Sequence, residues 1–130
     1  MGDGRWEMGI ESFEDLETWR RAREAVNAVY SMCRQPPLAR DFGLCGQIQR
    51  AAVSVMANVA EGFERTHVAE KIQFYNVARA STGETRCLSY VVADNYPNVS
   101  EQALPLRERL LGVGRLITGL IRSTQQRLNP

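Results

Sequence analysis

Residues 44–62 read LCGQIQRAAVSVMANVAEG, and this stretch decides the fold. With about 100° between consecutive residues, it forms a helix whose apolar side chains occupy most of the circumference. A surface helix normally carries a broad charged face, so a helix that is apolar nearly all round is predicted to be buried on several sides. In a chain of 130 residues, another subunit can cover some of those sides. The polar side chains fall on one narrow line: Gln47, Arg50, Ser54, Asn58 and Glu61.

This polar line needs hydrogen-bond partners, because a buried polar group without one costs about 1–3 kcal/mol. We predict a structural polar network between helices that joins these five residues to Glu84 of the third helix. Within it, Glu61 and Glu84 are candidates for a carboxylate pair, with Arg50 and Arg79 as the neutralising cations. A ligand or catalytic site and a subunit interface are the alternatives.

Two helical patterns occupy the first half of the chain. The first is predicted over residues 15–34, capped by Ser12 or Asp15, with Trp19 and Tyr30 as core anchors. The second is the stretch quoted above. It is expected to end at Gly62, a residue type common just beyond helix ends.

Two further patterns complete the fold. The third helix is predicted over residues 67–94, with Thr66 as its cap and Val77 in its core stripe. The fourth is predicted over residues 100–127, beginning at Ser100. Four amphipathic helices with short links predict an all-α protein, a single up-down-up-down four-helix bundle over residues 12–130. Residues 1–11 form a short flexible N-terminal arm before it.

Composition narrows the functional classes. The three cysteines, Cys33, Cys45 and Cys87, fit neither a disulfide framework nor a zinc spacing, so we interpret them as small core residues. A reducing, cytoplasmic location follows from that interpretation. No apolar run reaches the roughly 18 residues that span a bilayer, and the first residues lack a signal-peptide pattern, so no membrane partner is expected.

The sequence offers no catalytic constellation. His67 is the single histidine, and nothing in the sequence places it near a nucleophile. Neither a phosphate-binding glycine-rich loop nor a metal-ligand pattern occurs. We therefore expect no enzyme activity, no cofactor, no metal and no catalytic residues.

Charge is distributed unevenly along the chain. Residues 1–17 hold six acidic residues and one arginine, whereas the rest of the chain holds nine acidic and fifteen basic residues. Fourteen of those fifteen are arginines, which suit bidentate phosphate contacts, although a GC-rich genome also favours arginine. A second line on helix three contains Arg79, Arg86 and Tyr90, and helix four carries Arg115 and Arg122 away from its apolar stripe. These five residues are candidates for a nucleic-acid contact, a subunit contact or a solvated face.

Several motifs resemble one known family. The pattern Q-x-x-R-A-A-x-S-x-x-x-N-x-A-E-G over residues 47–62 closely resembles the signature of bacterial four-helix-bundle proteins related to the ribosomal-RNA intervening-sequence proteins. The motifs F-E-D-L-x-x-W-x-x-A from Phe13, F-G-L from Phe42 and A-R-A-S-x-x-E from Ala78 are similar to other parts of that family. The resemblance covers about residues 12–124. It implies a closed ring, a pentamer in particular, and no established active-site residue.

Two functions follow as hypotheses. The first is a non-enzymatic cytoplasmic bundle that forms a homo-oligomeric ring, a homopentamer by resemblance, and acts as an interaction scaffold. The alternative is an RNA- or nucleic-acid-binding protein that uses the basic surface of the assembled ring. An enzyme is a third class, with no residues to support it.

Overall fold

The computed structural model describes residues 10–128, so most of the predicted N-terminal arm, residues 1–11, lies outside the described part of the chain. Within residues 10–128 the structure contains no strand, which confirms the all-α prediction. The four α-helices are α1 (Glu17–Cys33), α2 (Phe42–Glu64), α3 (Val68–Asn95) and α4 (Ser100–Leu128). Three short 3-10 helices connect or precede them: Phe13–Asp15, Leu38–Arg40 and Pro97–Val99.

The four helices are arranged around the core in the order in which they occur along the chain. Each helix packs on the next, and α1 also packs on α4, so α2 and α4 occupy diagonally opposite corners. A hydrogen bond between Ser54 and Ser81 joins the middle of α2 to the middle of α3, and one from Lys71 to Phe63 joins the end of α2 to the beginning of α3. These two helices therefore run antiparallel. We name each outer face of the molecule by the two helices that form it.

The core consists of two apolar clusters stacked along the helices. One contains Met32, Leu38 and Ile48 and packs beneath the α3–α4 connection. The other contains Val55, Tyr75 and Ile117 and lies towards the opposite end. Met56 contacts both clusters and links them. The stripe predicted for helix four is buried at five positions and partly buried at Leu120: Leu106, Leu110, Val113, Leu120, Ile117 and Ile121.

Two predicted core residues lie at the surface. Tyr30 and Val77 are exposed, whereas their neighbours Val29 and Ala78 are fully buried. Consecutive residues of a helix point about 100° apart, so only one of each pair can enter the centre of the core. The smaller neighbour takes that place, so the predicted stripes, which included both members of each pair, were wrong for Tyr30 and Val77.

The cysteine interpretation holds for two of the three residues. Cys33 and Cys45 are buried, and the Sγ of Cys45 lies 3.3 Å from the carbonyl oxygen of Leu38. Burial, together with the neighbouring Cys45 thiol, raises the pKa of Cys33 to about 12. Cys87 is exposed on α3, so its assignment to the core was wrong.

Helix α2 begins and ends differently from its prediction. Asp41 accepts a hydrogen bond from the Leu44 backbone N–H at 3.1 Å, so the helix starts at Phe42 rather than at Leu44. At the other end, α2 continues through Gly62 to Glu64. Gly62 is needed for another reason: a Cβ built there would lie 2.6 Å from the Tyr75 ring. The glycine thus permits close packing of α3 rather than ending α2.

Three other predicted caps were also wrong. The α3 N-cap residue is His67 rather than Thr66, and its side chain makes no capping hydrogen bond. The α1 N-cap residue is Leu16. Ser12 and Asp15 belong instead to the preceding 3-10 helix, where the Asp15 carboxylate accepts from the Ser12 backbone N–H at 3.3 Å. A short 3-10 turn therefore takes up residues that the pattern assigned to the start of α1.

Candidate functional site: an arginine-lined groove between α3 and α4

An open groove of about 450 Å³ runs between α3 and α4. Four of the five residues predicted as nucleic-acid or subunit contacts line it: Arg79 and Arg86 from α3, and Arg115 and Arg122 from α4. Within each helix the two arginines are seven residues apart, so they fall on one line about 10 Å long. Because one line belongs to each helix, the two lines stand on opposite sides of the groove.

Small residues form the floor between these lines. Gly83 has no atom within 4 Å of the place where a Cβ would stand, and a Cβ on Gly114 would lie 3.5 Å from the Thr82 hydroxyl. The floor hydroxyls are used within their own helices: Thr82 donates to the Arg79 carbonyl at 2.6 Å and Thr118 to the Gly114 carbonyl at 3.1 Å. The arginine side chains are therefore the charged groups that the groove offers to a ligand.

These four arginines have no carboxylate partner in the part of the chain that the structure describes. The groove lining contains no Asp or Glu, and Arg79 donates only to the amide oxygen of Asn76, at 3.0 Å. Ion pairs do form on other faces, as between Arg109 and Glu24 and between Arg65 and Glu61. Uncompensated positive charge thus collects on one face of the molecule, where it attracts anions.

Tyr90, the fifth predicted contact residue, lies on the same face of α3, four residues beyond Arg86. The Arg107 guanidinium lies 4.0 Å from the centre of its ring, within cation–π range. The Tyr90 side chain is nevertheless 56% exposed. Leu104 and Leu111 of α4, three residues before and four residues after Arg107, are also exposed. We use the name α3–α4 face for the four groove arginines together with Tyr90, Arg107, Leu104 and Leu111.

The prediction missed Leu104, Arg107 and Leu111 as members of this face. Their spacing of three and four residues continues to Thr118 and marks one line along α4. That spacing was available in the sequence. Leu104 and Leu111 lie off the apolar stripe predicted for helix four, however, so neither was given a role.

Of the six residues predicted to form a structural polar network, the structure brings together two, Ser54 and Asn58. Ser54 shares a 2.8 Å hydrogen bond with Ser81, and the Asn58 amide donates to the Ser54 carbonyl at 2.8 Å and to its hydroxyl at 3.0 Å. Ser81 was not among the predicted members. The other four predicted members are exposed: Gln47, Arg50, Glu61 and Glu84.

Glu61 and Glu84 cannot form the expected carboxylate pair. Starting from the Ser54–Ser81 contact, Glu61 lies seven residues further along α2 and Glu84 three residues further along α3. Because the helices run antiparallel, the two carboxylates are about 15 Å apart along the axis. Glu61 instead pairs with Arg65 at 3.1 Å, an exposed contact within one helix that contributes little stability.

Two faces beside α2 carry exposed apolar side chains. The α1–α2 face has Tyr30, Val53 and Phe42, the last of which is 82% exposed. The α2–α3 face has Val77 and Val91, which lie fourteen residues apart on the side of α3 next to Ser81. Glu84 lies midway between these valines on the same line. On α2 itself, Phe42 and Val53 are the large apolar side chains left exposed.

Residues 10–128 include no group of three or more His, Cys, Asp and Glu side chains placed to hold a metal ion. The single histidine, His67, is exposed at the start of α3. None of the helices in that range is long and apolar enough to cross a membrane.

These features define a four-helix protein with an arginine-lined groove between α3 and α4 and with exposed apolar side chains on the two faces beside α2. The sequence matches the model of the 23S rRNA-intervening sequence protein family over residues 14–119, and the chain belongs to that family. This confirms the resemblance found in the motifs.

One solved structure with a similar fold comes from Bacteroides thetaiotaomicron, a protein of unknown function from the S23 ribosomal protein family. The two structures superpose with a TM-score of 0.72 over 80% of this chain and 97% of that chain. Their sequences are 21% identical, so the likeness establishes the shared fold alone. No curated protein matches the sequence.

Proposed function

We propose that this protein is a non-enzymatic, cytoplasmic up-down-up-down four-helix bundle that assembles into a homo-oligomeric ring and acts as an interaction scaffold. The observation that carries the proposal is the presence of exposed apolar side chains on both faces beside α2. The family resemblance adds the expected number of subunits, five.

The exposed side chains are large enough to favour association. Phe42, Tyr30 and Val53 are exposed on the α1–α2 face, and Val77 and Val91, with Glu84 between them, are exposed on the α2–α3 face. Exposed apolar side chains favour association, because burying a large one yields about 1.5–3 kcal/mol. Covering both faces would enclose α2, whose apolar circumference is unusual for a surface helix.

The arrangement of these faces favours a ring. Two different faces that bind each other make a head-to-tail contact, which produces a ring if it closes and a filament if it does not. The α1–α2 and α2–α3 faces are adjacent and meet at α2, so each added subunit turns relative to the last. Such turning leads to a small closed ring, with α2 towards the centre and α4 at the outside.

A mixing experiment tests this arrangement. Phe42→Glu damages the α1–α2 face and Val77→Glu damages the α2–α3 face, so each variant alone should sediment as a monomer. An equimolar mixture retains one intact pair of faces and should form dimers but no rings. Gln102→Glu, an exposed change on α4, is the matched control and should assemble like the unaltered protein. Rings of unaltered size in either variant would contradict the proposal.

Nucleic-acid binding, RNA in particular, is the second candidate function. It is favoured by the four groove arginines that lack carboxylate partners. The proposed ring leaves the α3–α4 face uncovered and repeats it in every subunit, so weak contacts add through avidity. We expect the Arg115→Glu, Arg122→Glu double variant to lose RNA binding. Unchanged binding would show that RNA uses another face.

A further inference from the structure

The α3–α4 face is positively charged, is elongated along α3, and differs between its two ends. From Arg79 to Tyr90 it extends eleven residues along α3, which corresponds to about 16 Å. Arg79 and Arg86 occupy one part of that length, and the exposed Tyr90 lies at its end. At a rise of about 3.4 Å per nucleotide, this distance matches about five stacked nucleotides of one strand.

The two arginine lines suit a single backbone. Arg79 and Arg86 stand on one side of the groove, and Arg115 and Arg122 on the other. A strand lying along the groove floor meets guanidinium groups from both sides. The glycines and short hydroxyl side chains of the floor let that strand approach the helices closely, since Gly83 has open space where a Cβ would stand.

Tyr90 adds an exposed aromatic ring, which a site that binds only phosphate does not need. Arg107 lies against its ring at 4.0 Å, and more than half of the side chain is exposed. An aromatic ring held in place by an arginine is a stacking platform for an unpaired base, and such stacking does not depend on the base type. A base within a duplex is already stacked on its neighbours and cannot use this ring.

We propose that the α3–α4 face binds a single-stranded polynucleotide, with its phosphates between the two arginine lines and one base stacked on Tyr90. The inference rests on the second candidate function above and specifies its ligand class and its contacts. It separates the roles of the residues: the arginines contribute affinity that depends on salt, and Tyr90 contributes selectivity for unpaired strands.

The test measures binding by fluorescence anisotropy, using the full chain and labelled oligouridine of about 12 nucleotides. The same strand annealed to oligoadenine serves as the duplex probe, and oligothymidine serves as the DNA probe. We expect the single strands to bind at least about tenfold more tightly than the duplex. For four phosphate contacts, the logarithm of the binding constant should fall with the logarithm of salt concentration with a slope near −3.

Two sets of variants assign the contacts. Tyr90→Leu should weaken single-strand binding at least about fivefold and leave duplex binding unchanged, whereas Tyr90→Phe should retain it. Arg115→Glu with Arg122→Glu should abolish binding of both probes. The control for charge is Arg20→Glu with Arg40→Glu, an equal change at exposed positions outside the face, which should retain most single-strand binding.

The outcomes distinguish this inference from the wider proposals. Equal binding of single strand and duplex, or no effect of Tyr90→Leu, would overturn the single-strand inference and leave general nucleic-acid binding intact. If the unaltered protein binds neither the single strands nor the duplex, both the single-strand inference and the proposal of nucleic-acid binding are wrong. Sedimentation of the same samples reports the ring separately. If the arginine variant loses its assembly along with binding, the α3–α4 face is a subunit contact and the inference is wrong.

Discussion

Gly62 and Tyr75 form a close contact between α2 and α3. A Cβ at Gly62 would lie 2.6 Å from the Tyr75 ring, and that ring is fully buried. Neither residue can shift easily, because the core around the ring is closely packed. The contact explains why a glycine stands inside a helix, where it costs about 1 kcal/mol relative to alanine.

Gly62→Ala should therefore destabilise the protein, although alanine favours helices. We expect the free energy of unfolding, measured by urea denaturation, to fall by about 1–3 kcal/mol through overpacking. Gly83→Ala is the matched control, since a Cβ there meets nothing within 4 Å. It should raise stability by up to about 1 kcal/mol. Equal effects of the two substitutions would contradict this account.

Asp41 and Tyr96 join the start of α2 to the end of α3. The Tyr96 hydroxyl donates to the Asp41 carboxylate at 2.7 Å. This bond, followed by the one from the Leu44 N–H, lowers the pKa of Asp41 from its ordinary value of 3.8. The same bond, followed by burial, raises the pKa of Tyr96 above 10.0.

The pH dependence of stability follows from these directions. A lowered Asp41 pKa stabilises the fold above pH 3.8, and that contribution is lost as the pH falls through the lowered value. We expect Tyr96→Phe to be less stable than the unaltered protein at neutral pH. The difference should shrink as the pH falls below 3.8. Urea denaturation over a pH series measures it, and a difference that does not vary with pH would contradict the assigned bond.

At the scale of elements, α3 differs most from its prediction. Its buried residues include Lys71, Thr82 and Thr85, all polar. The sequence pattern does not reveal Lys71 or Thr82, because their partners come from tertiary contacts or from the same helix: Lys71 donates to the Phe63 carbonyl at 2.7 Å, and Thr82 to the Arg79 carbonyl at 2.6 Å. The Lys71 ammonium group thus donates hydrogen bonds to carbonyl groups at the end of α2.

Periodicity predicted the presence and approximate length of all four helices, because each carries a long apolar stripe. It could not decide between consecutive apolar residues such as Val77 and Ala78, since that choice depends on where the next helix lies. The candidate site was also predictable only in part, because some of its contacts depend on how the helices pack. Seven-residue spacing places Arg79 with Arg86 and Arg115 with Arg122, whereas the contact of Arg107 with Tyr90 requires the packing of α3 against α4.

The hydrogen bond between Ser54 and Ser81 fixes the register of α2 against α3. We expect a double-mutant cycle with Ser54→Ala and Ser81→Ala to give a coupling energy of about 0.5–1.5 kcal/mol. The cycle cancels the change in helix propensity at each position. Pairing Ser54→Ala with Ser123→Ala, whose hydroxyl bonds within α4, is the control and should give no coupling. Coupling near zero for the first pair would contradict the contact.

At the scale of the whole molecule, the two faces proposed for assembly lie beside α2, and the groove arginines lie on the α3–α4 face together with the exposed Tyr90, Leu104 and Leu111. Phe42 and Val77 mark the two faces that meet at α2, and the groove arginines lie on a face that includes α4. This separation lets one chain use α2 for assembly and still present its positive charge outside the ring. The proposed scaffold and the proposed nucleic-acid contact are therefore compatible in one assembly.

The most direct test of the ring is the native mass of the unaltered protein in solution, measured by sedimentation at micromolar concentration. The account predicts a closed multiple of the 14.6 kDa chain, five chains by family resemblance. It also predicts that the mass does not increase further with concentration, because a closed ring has no unpaired contact face. A monomer, or a mass that keeps rising as in a filament, would contradict the proposed ring.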